Sequence, residues 1–443
     1  MQASESEPNP PRGARIRVFL EHYGSTVVGQ GVVLGLGVLT GILSARMLGP
    51  VGRGEYAAVC IWPLGIMTLL SLGINQAAAF HLGRRSFTIS EMTTAVSTVG
   101  ATQSALTIVI GLIVVPHALA KYSSQVQHLG ILFLLLMPAL ILGVYTSNLF
   151  QGVQDLLRFN IIRIVAPFVY LVGLVGLYLT RHGNLSDVIL SQLVGYVVAL
   201  LIGFGMVWKE LGPRWHWNGL AVPSLVNFGF RTQATNLANY FNQRIDQLFL
   251  SLVVPPRQLG FYAVAVTLSM TVTVFSVAAG IVTFSRGASQ KTTDAKITIG
   301  HSFRVSLVWL VVSCSVLYAI TPMLIRHVFG PAFEGSIVAC RILLPGAVMI
   351  GMNQILYNGS SALGRPGLPS VAEGVSMAVT AVGLYLLVPR YGYIGAAIVS
   401  SISYTLSFLV MTVLAHKLLD LPLRTLLLGG MHSFQNESLI QGE

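Results

Sequence analysis

The chain has 443 residues, of which 54% are hydrophobic and only 9% charged, with a formal net charge of +11. Soluble domains carry about 25% charged residues, so a soluble protein is excluded, and with it the reading of the basic excess as a nucleic-acid surface. A bilayer span takes roughly 20 mostly apolar residues, so this length accommodates a dozen spans joined by short loops.

The opening stretch, MQASESEPNPPRGARIR, is polar and Pro-rich. It reads as a cytoplasmic leader over 1–20 rather than a cleavable signal peptide. Apolar windows then predict about twelve spans. The first six lie near 24–46, 57–80, 93–116, 129–151, 161–180 and 188–208. The second six lie near 230–253, 261–284, 303–325, 336–358, 370–388 and 393–415. The longest loops fall around 209–226 and 285–300, which leaves no room for a separate soluble domain. The expected fold is all-α and integral to the membrane: a first lobe over 21–211, a second over 212–416 and a cytoplasmic tail over 417–443. Basic residues gather in alternate loops, among them Arg84, Arg85, Arg158, Lys209 and Arg286, and this bias puts both termini in the cytoplasm. Cys60, Cys314 and Cys340 sit in apolar segments without paired spacing, and the ten histidines are scattered. Neither a disulfide framework nor a metal-ligand set is implied.

The two halves repeat. Pro50 to Ala57, after the first span, shares P-x-x-x-G-x-Y-A with Pro256 to Ala263 after the seventh, at an offset of 206. Leu149-Phe150-Gln151-Gly152 answers Leu356-Tyr357-Asn358-Gly359 at 207, and Pro138 and Pro345 share that offset. Each repeat holds an even number of spans, so the halves have one orientation and are related by an axis along the membrane normal. In transporters of this build the substrate sits between the halves and access alternates between the two sides.

The seventh span, FGFRTQATNLANYFNQRIDQLFLSLV (Phe228 to Val253), departs from the rest by carrying Arg231, Arg244 and Asp246. A charge near the bilayer centre costs at least ~3 kcal/mol. At helical spacing Asn236, Asn239, Gln243 and Gln247 form one stripe with Asp246 beside it. Such a stripe requires water, a polar helix or a polar ligand opposite, and so predicts a polar, cationic interior.

The pattern A-R-x-L-G-P-x-x-x-G-x-Y (Ala45 to Tyr56), followed by Gly73-Ile74-Asn75-Gln76, resembles the Wzx-like polysaccharide flippases. These belong to the superfamily that includes the MATE exporters and the lipid II flippases. The second half repeats the resemblance in Arg244-Ile245-Asp246, in Leu259-Gly260-Phe261-Tyr262 and in Phe329-Gly330-Pro331. The resemblance implies two six-helix lobes in a MATE-like V. It also implies translocation of an undecaprenyl-diphosphate-linked oligosaccharide across a bacterial-type cytoplasmic membrane, with polysaccharide polymerase and assembly proteins as partners. No P-loop is present, so any energy is expected from an ion gradient, of H+ or Na+, or from the membrane potential, and neither a cofactor nor an enzymatic activity is expected.

Several residues carry two readings each. Arg244 is a diphosphate or glycan contact, with Asp246 positioning it or coupling to an ion, or else each forms a structural ion pair with a neighbouring helix. Residues two apart face different sides of a helix, so the two need not pair with each other. Arg231, near the inner end of its span, either captures substrate or snorkels to the headgroups. Asn75 and Gln76 line the cavity or make helix–helix hydrogen bonds. Arg46, Arg163, Arg304 and Arg341 read as interfacial anchors. Glycines 31, 35, 37 and 41 point to close helix packing, or to a helix that bends or approaches the cargo. Pro138 and Pro345 predict matched kinks. An ion-coupled multidrug exporter and a lipid II flippase are the alternatives. The excess of Arg over acid within the spans favours an anionic cargo.

Overall fold

The computed structural model describes residues 12–421 except 182, 291 and 366, together with 426 and 427. For 12–27, 231, 232, 234–236, 239, 288 and 289 it describes the backbone alone. Most of the expected leader and tail therefore lie outside the described residues. Thirteen α-helices run in order: α1 (Arg12–Leu70), α2 (Ile74–Gly83), α3 (Ile89–Ala118), α4 (Ser124–Leu135), α5 (Met137–Gly152), α6 (Leu156–Leu179), α7 (Leu185–Met206), α8 (Ala221–Val253), α9 (Pro256–Ser269), α10 (Val274–Ser289), α11 (Thr292–Leu324), α12 (Ser336–Ala362) and α13 (Leu368–Leu419). No strand occurs among the described residues. That is the expected all-α membrane architecture, in which every backbone group is satisfied within its own helix.

Among the described residues nine helical segments are long and apolar enough to cross a membrane, against the twelve spans expected. Two physical reasons account for the difference. The helices α1 and α13 run continuously through sharp breaks at Gly49 (φ 65°) and Gly392 (φ 56°), so each joins two predicted spans into one segment. Both glycines sit in the left-handed region that side chains disfavour. The third reduction is α8, 33 residues long, whose amides and charges keep it from counting as apolar.

Helices also extend past their apolar windows. The loop expected at 285–300 is helical up to Ser289 and again from Thr292, because polar turns continue a helix beyond its apolar window. Likewise Pro50 and Pro256 begin helical limbs rather than lying in loops, as suits proline in a first helical turn. The matched kinks are half present. Pro138 follows a break at Leu136 between α4 and α5, whereas Pro345 lies inside an unbroken α12.

The first seven helices pack mainly with one another, as do α9 to α13, while α8 packs against both sets and α1 with α9 forms the largest direct contact between the two lobes. That contact is the P-x-x-x-G repeat meeting itself. A Cβ placed on Gly54 would lie 1.8 Å from the carbonyl oxygen of Pro256, and one on Gly260 would lie 1.9 Å from that of Pro50. The two repeats thus touch backbone to backbone and reciprocally, as in an isologous two-fold interface. Nearby, Arg46 donates to the carbonyl of His327 (2.5 Å) and Lys121 to that of Val254 (2.6 Å). Partial burial pulls the Lys121 ammonium below its ordinary pKa.

Close packing, by contrast, is not what the α1 glycines provide. Nothing lies within 4 Å of where a Cβ would sit on Gly31, Gly35 or Gly37, and only Gly41 approaches the opposite lobe, at Thr267. Their spacing matches a packing motif, yet that face of α1 is open. Adding a methyl at Gly54 is therefore expected to destabilise the detergent-solubilised protein by about 1–3 kcal/mol or more, the range of overpacked sites. Gly31→Ala should stay within about 0.5 kcal/mol. Thermal unfolding of the two variants checks this, and equal melting temperatures would contradict it.

Candidate functional site

Both lobes share α8. Its first half is fastened to the first lobe: Phe228 stacks on Phe80 at 4.1 Å, and Gln233 Nε2 donates to the Thr68 carbonyl at 2.8 Å. Ser71 Oγ donates back to Gln233 Oε1 (3.2 Å). Further along, one face of α8 belongs to the second lobe. Asn242 donates to Glu373 of α13 and accepts from Ser376 Oγ at 3.1 Å. One turn on, Asp246 accepts from Tyr262 of α9, from Ser400 of α13 (3.0 Å) and from the backbone of Gln247 (2.6 Å). At its end, Ser251 takes hydrogen bonds from Trp62 Nε1 (3.0 Å) and Tyr122 (2.9 Å) of the first lobe.

These contacts place Arg244. Residues 240, 244, 247 and 251 share a stripe at helical spacing. Below Arg244, the Tyr240 hydroxyl approaches Gly65 of α1; above it, Ser251 meets Trp62 of the same helix. Arg244 itself is exposed; among the described residues its only hydrogen bond is a long one (3.5 Å) to Gln247 Oε1, and it forms no ion pair. The stripe meets the first lobe on either side of an arginine that has no hydrogen bond to that lobe among the described residues. That arrangement leaves a free guanidinium fork, suited to phosphate or carboxylate, between the lobes.

Asp246 faces away from this gap. It is 1% exposed and Glu373 is 8% exposed, and neither has a cationic partner within 4.0 Å among the described residues. Glu373 is held by Asn242 and by Tyr357 (2.7 Å). Two buried carboxyl groups thus sit on hydroxyl and amide donors inside the second lobe. Buried acids without a counter-ion are expected either to carry a proton or to hold a cation.

The other candidates divide. Gln243 is exposed beside Arg244 and Gln247 is buried. Asn75 is half-buried, its Oδ1 enclosed and without a hydrogen-bond partner among the described residues, while Gln76 is exposed. The side chains of Arg231, Asn236 and Asn239 lie outside the described residues. Arg163 donates to Gln30 (2.7 Å), and Arg341 to the Tyr318 carbonyl (3.4 Å) while lying over the Tyr318 ring. Beside Gln30, an apolar groove of about 660 Å³ runs between α1 and the α10–α11 pair, lined by Leu34, Phe275, Ile281, Trp309 and Val316.

Residues 19–289 match the family described as "Polysaccharide biosynthesis protein". The chain belongs to this family. It is 22% identical over 413 residues to the uncharacterized membrane protein MJ1068 of Methanocaldococcus jannaschii, covering 86% of this chain and 81% of that one. Its fold is similar to that of the lipid II flippase MurJ in an inward closed conformation, with a TM-score of 0.72, 14% identity, and coverage of 87% of this chain and 86% of that chain. It is also similar to a MATE family multidrug resistance transporter in its inward-facing conformation, with a TM-score of 0.70, 12% identity, and coverage of 88% and 94%. The resemblance read from the motifs is borne out at the level of family and fold.

Two residues of this family member escaped the sequence reading. Glu373 lies in the predicted span 370–388 as a lone acid, and that was signal enough to place it beside Asp246 as a second intramembrane carboxylate. Arg53 falls between the first two predicted spans, where Pro50 reads as the end of a helix, whereas in the structure it lies within α1. Removing Glu373 should reveal its burial. Glu373→Ala, which takes from Asn242 Nδ2 its acceptor and from Tyr357 one of its two hydrogen bonds, is expected to cost about 1–3 kcal/mol in thermal stability, with Glu373→Gln recovering most of it. An alanine variant as stable as the wild type would show that these partners find water instead.

Proposed function

We propose that this chain flips an undecaprenyl-diphosphate-linked oligosaccharide from the cytoplasmic to the outer leaflet of a cytoplasmic membrane, with both termini inside. The two lobes rock about their Gly54–Gly260 contact. The observation that carries the reading is Arg244: an exposed guanidinium between the lobes, flanked by amides and without an ion pair among the described residues. An anionic diphosphate meets the fork of Arg244, a glycan meets the amides of α8, and a polyprenyl tail runs along the apolar groove beside α1. Such a cargo has all three characters, and this cleft offers a partner for each. Family membership and the transporter folds of the neighbours support transport rather than an enzymatic reaction.

Coupling is assigned to Asp246 and Glu373, which take up H+ or Na+ inside the second lobe. Their side of α8 is opposite to that of Arg244, so ion and cargo act on one helix from two faces. The same acids favour a second reading, an ion-coupled exporter of cationic drugs, for which buried carboxylates are the binding groups.

Cells lacking the chain separate the two. Under the flippase reading, lipid-linked glycan accumulates where labelling of intact cells cannot reach it but labelling after lysis can, and the wild-type chain relieves this. Arg244→Ala should abolish the relief at unchanged protein level, while Arg244→Lys keeps part of it. Full activity in the alanine variant would remove Arg244 from the cargo site. Normal glycan distribution combined with new sensitivity to cationic dyes would establish the exporter.

A further inference from the structure

The internal repeat places a second, oppositely charged pocket in the first lobe. Fourteen residues before Gly260 stands Asp246; fourteen before Gly54 stands Thr40. Two residues after each glycine stands a tyrosine, Tyr262 or Tyr56. In the second lobe Tyr262 and Ser400 hold the Asp246 carboxylate. In the first lobe Tyr56 donates to Gln192 Oε1 (2.7 Å), which occupies on α7 the role of Ser400 on α13. Where the carboxylate sits in one lobe, the other has the short Thr40 side chain, its hydroxyl spent on the Leu36 carbonyl (2.9 Å).

Next to Thr40 lies a pocket of about 250 Å³, lined among others by Ser44, Arg53, Tyr56, Tyr170, Gln192 and Tyr196. Arg53 has no ion pair among the described residues. Its Nη1 donates to Ser44 Oγ (3.3 Å), but its Nε is enclosed without a hydrogen-bond partner among the described residues. Tyr196 accepts from Gln192 Nε2 (2.8 Å), which leaves the Tyr196 proton to give. No carboxylate lines the pocket. Apart from hydroxyl oxygens, the groups left with capacity among the described residues are donors, the Arg53 Nε and the Tyr196 hydroxyl, around one positive charge that also lies over the Tyr56 ring (5.0 Å). An enclosed Arg donor without a partner is costly, and a planar guanidinium fork matches an oxyanion.

We infer that this first-lobe pocket binds an external oxyanion, a phosphate or carboxylate group, in the position that Asp246 fills from within the second lobe. Arg53 and Tyr196 are its ligands. The inference stands on the repeat and the pocket, independently of the cargo site at Arg244.

The test uses the full chain purified in detergent, with melting followed by the fluorescence of its five tryptophans. Sodium phosphate, glucuronate and geranyl diphosphate are titrated against sodium chloride at equal ionic strength. A saturable rise in melting temperature is expected for the wild type. Its half-effect concentration should increase at least about tenfold in Arg53→Gln and less in Arg53→Lys. Thr40→Asp should abolish the response while folding normally, because it gives the first lobe the built-in carboxylate of the second. A response to phosphate or glucuronate alone supports the pocket with a free anion as its ligand. A response confined to geranyl diphosphate supports it with a lipid-borne phosphate. The proposal is overturned if no anion stabilises the wild type, or if Thr40→Asp or Arg53→Gln responds as the wild type does. It is equally overturned if Arg244→Ala, rather than Arg53→Gln, removes the phosphate response.

Discussion

Backbone laid directly on backbone at Gly54 and Gly260 is the constraint on which the rest of this molecule depends. With room for no side chain at either position, the two halves meet at one end of the bundle and cannot separate there without giving up the closest approach in the structure. Arg46 and Lys121 add hydrogen bonds to carbonyls of the opposite lobe at the same end. Toward the other end, α1 draws away from α10 and α11 around the apolar groove, and α8 remains as the main strap between lobes. Two rigid units joined at one end and strapped by a shared helix have few motions available, and rocking about the joined end is the natural one.

The shared helix also separates charge. One face of α8 offers Asn242 and Asp246 to the interior of the second lobe; another leaves Arg244 facing the gap. Whatever protonates or binds the acids acts on the same rigid element that presents the guanidinium. On the proposed assignment of cargo to Arg244 and ion to the acids, occupancy of one biases the other, and the bias is reciprocal. An arginine and an aspartate two residues apart lie, in this geometry, on different faces of the helix and form no salt bridge with each other.

Much of the fold was legible in the sequence. Apolar windows mark the spans, and the offset between Pro50 and Pro256 marks the repeat. The density of amides around Arg244 singles out α8. What escaped had physical causes. Hydropathy windows respond to apolar character, so they cut helices short where polar turns continue them, as before Phe303, and they placed Arg53 in a loop. Glycine spacing reports the absence of side chains but not what stands opposite, and opposite Gly31, Gly35 and Gly37 stands open space. Pro345 carries the same residue as Pro138 without the helix break. Partners distant in sequence, such as Asn242 and Glu373, 131 positions apart, leave no local pattern at all.

The rocking account is tested most directly by paired spin labels in a chain cleared of Cys60, Cys314 and Cys340. One pair spans the Gly49 end, at Val51 and Arg326, and another the opposite end, at Arg84 and Ile297. In lipid nanodiscs, adding a polyprenyl-diphosphate-linked sugar should leave the first distance, at the pivot, nearly unchanged and shorten the second. If the sugar binds and the second distance stays fixed, or the first lengthens as the second shortens, the lobes do not rock about the Gly54–Gly260 contact.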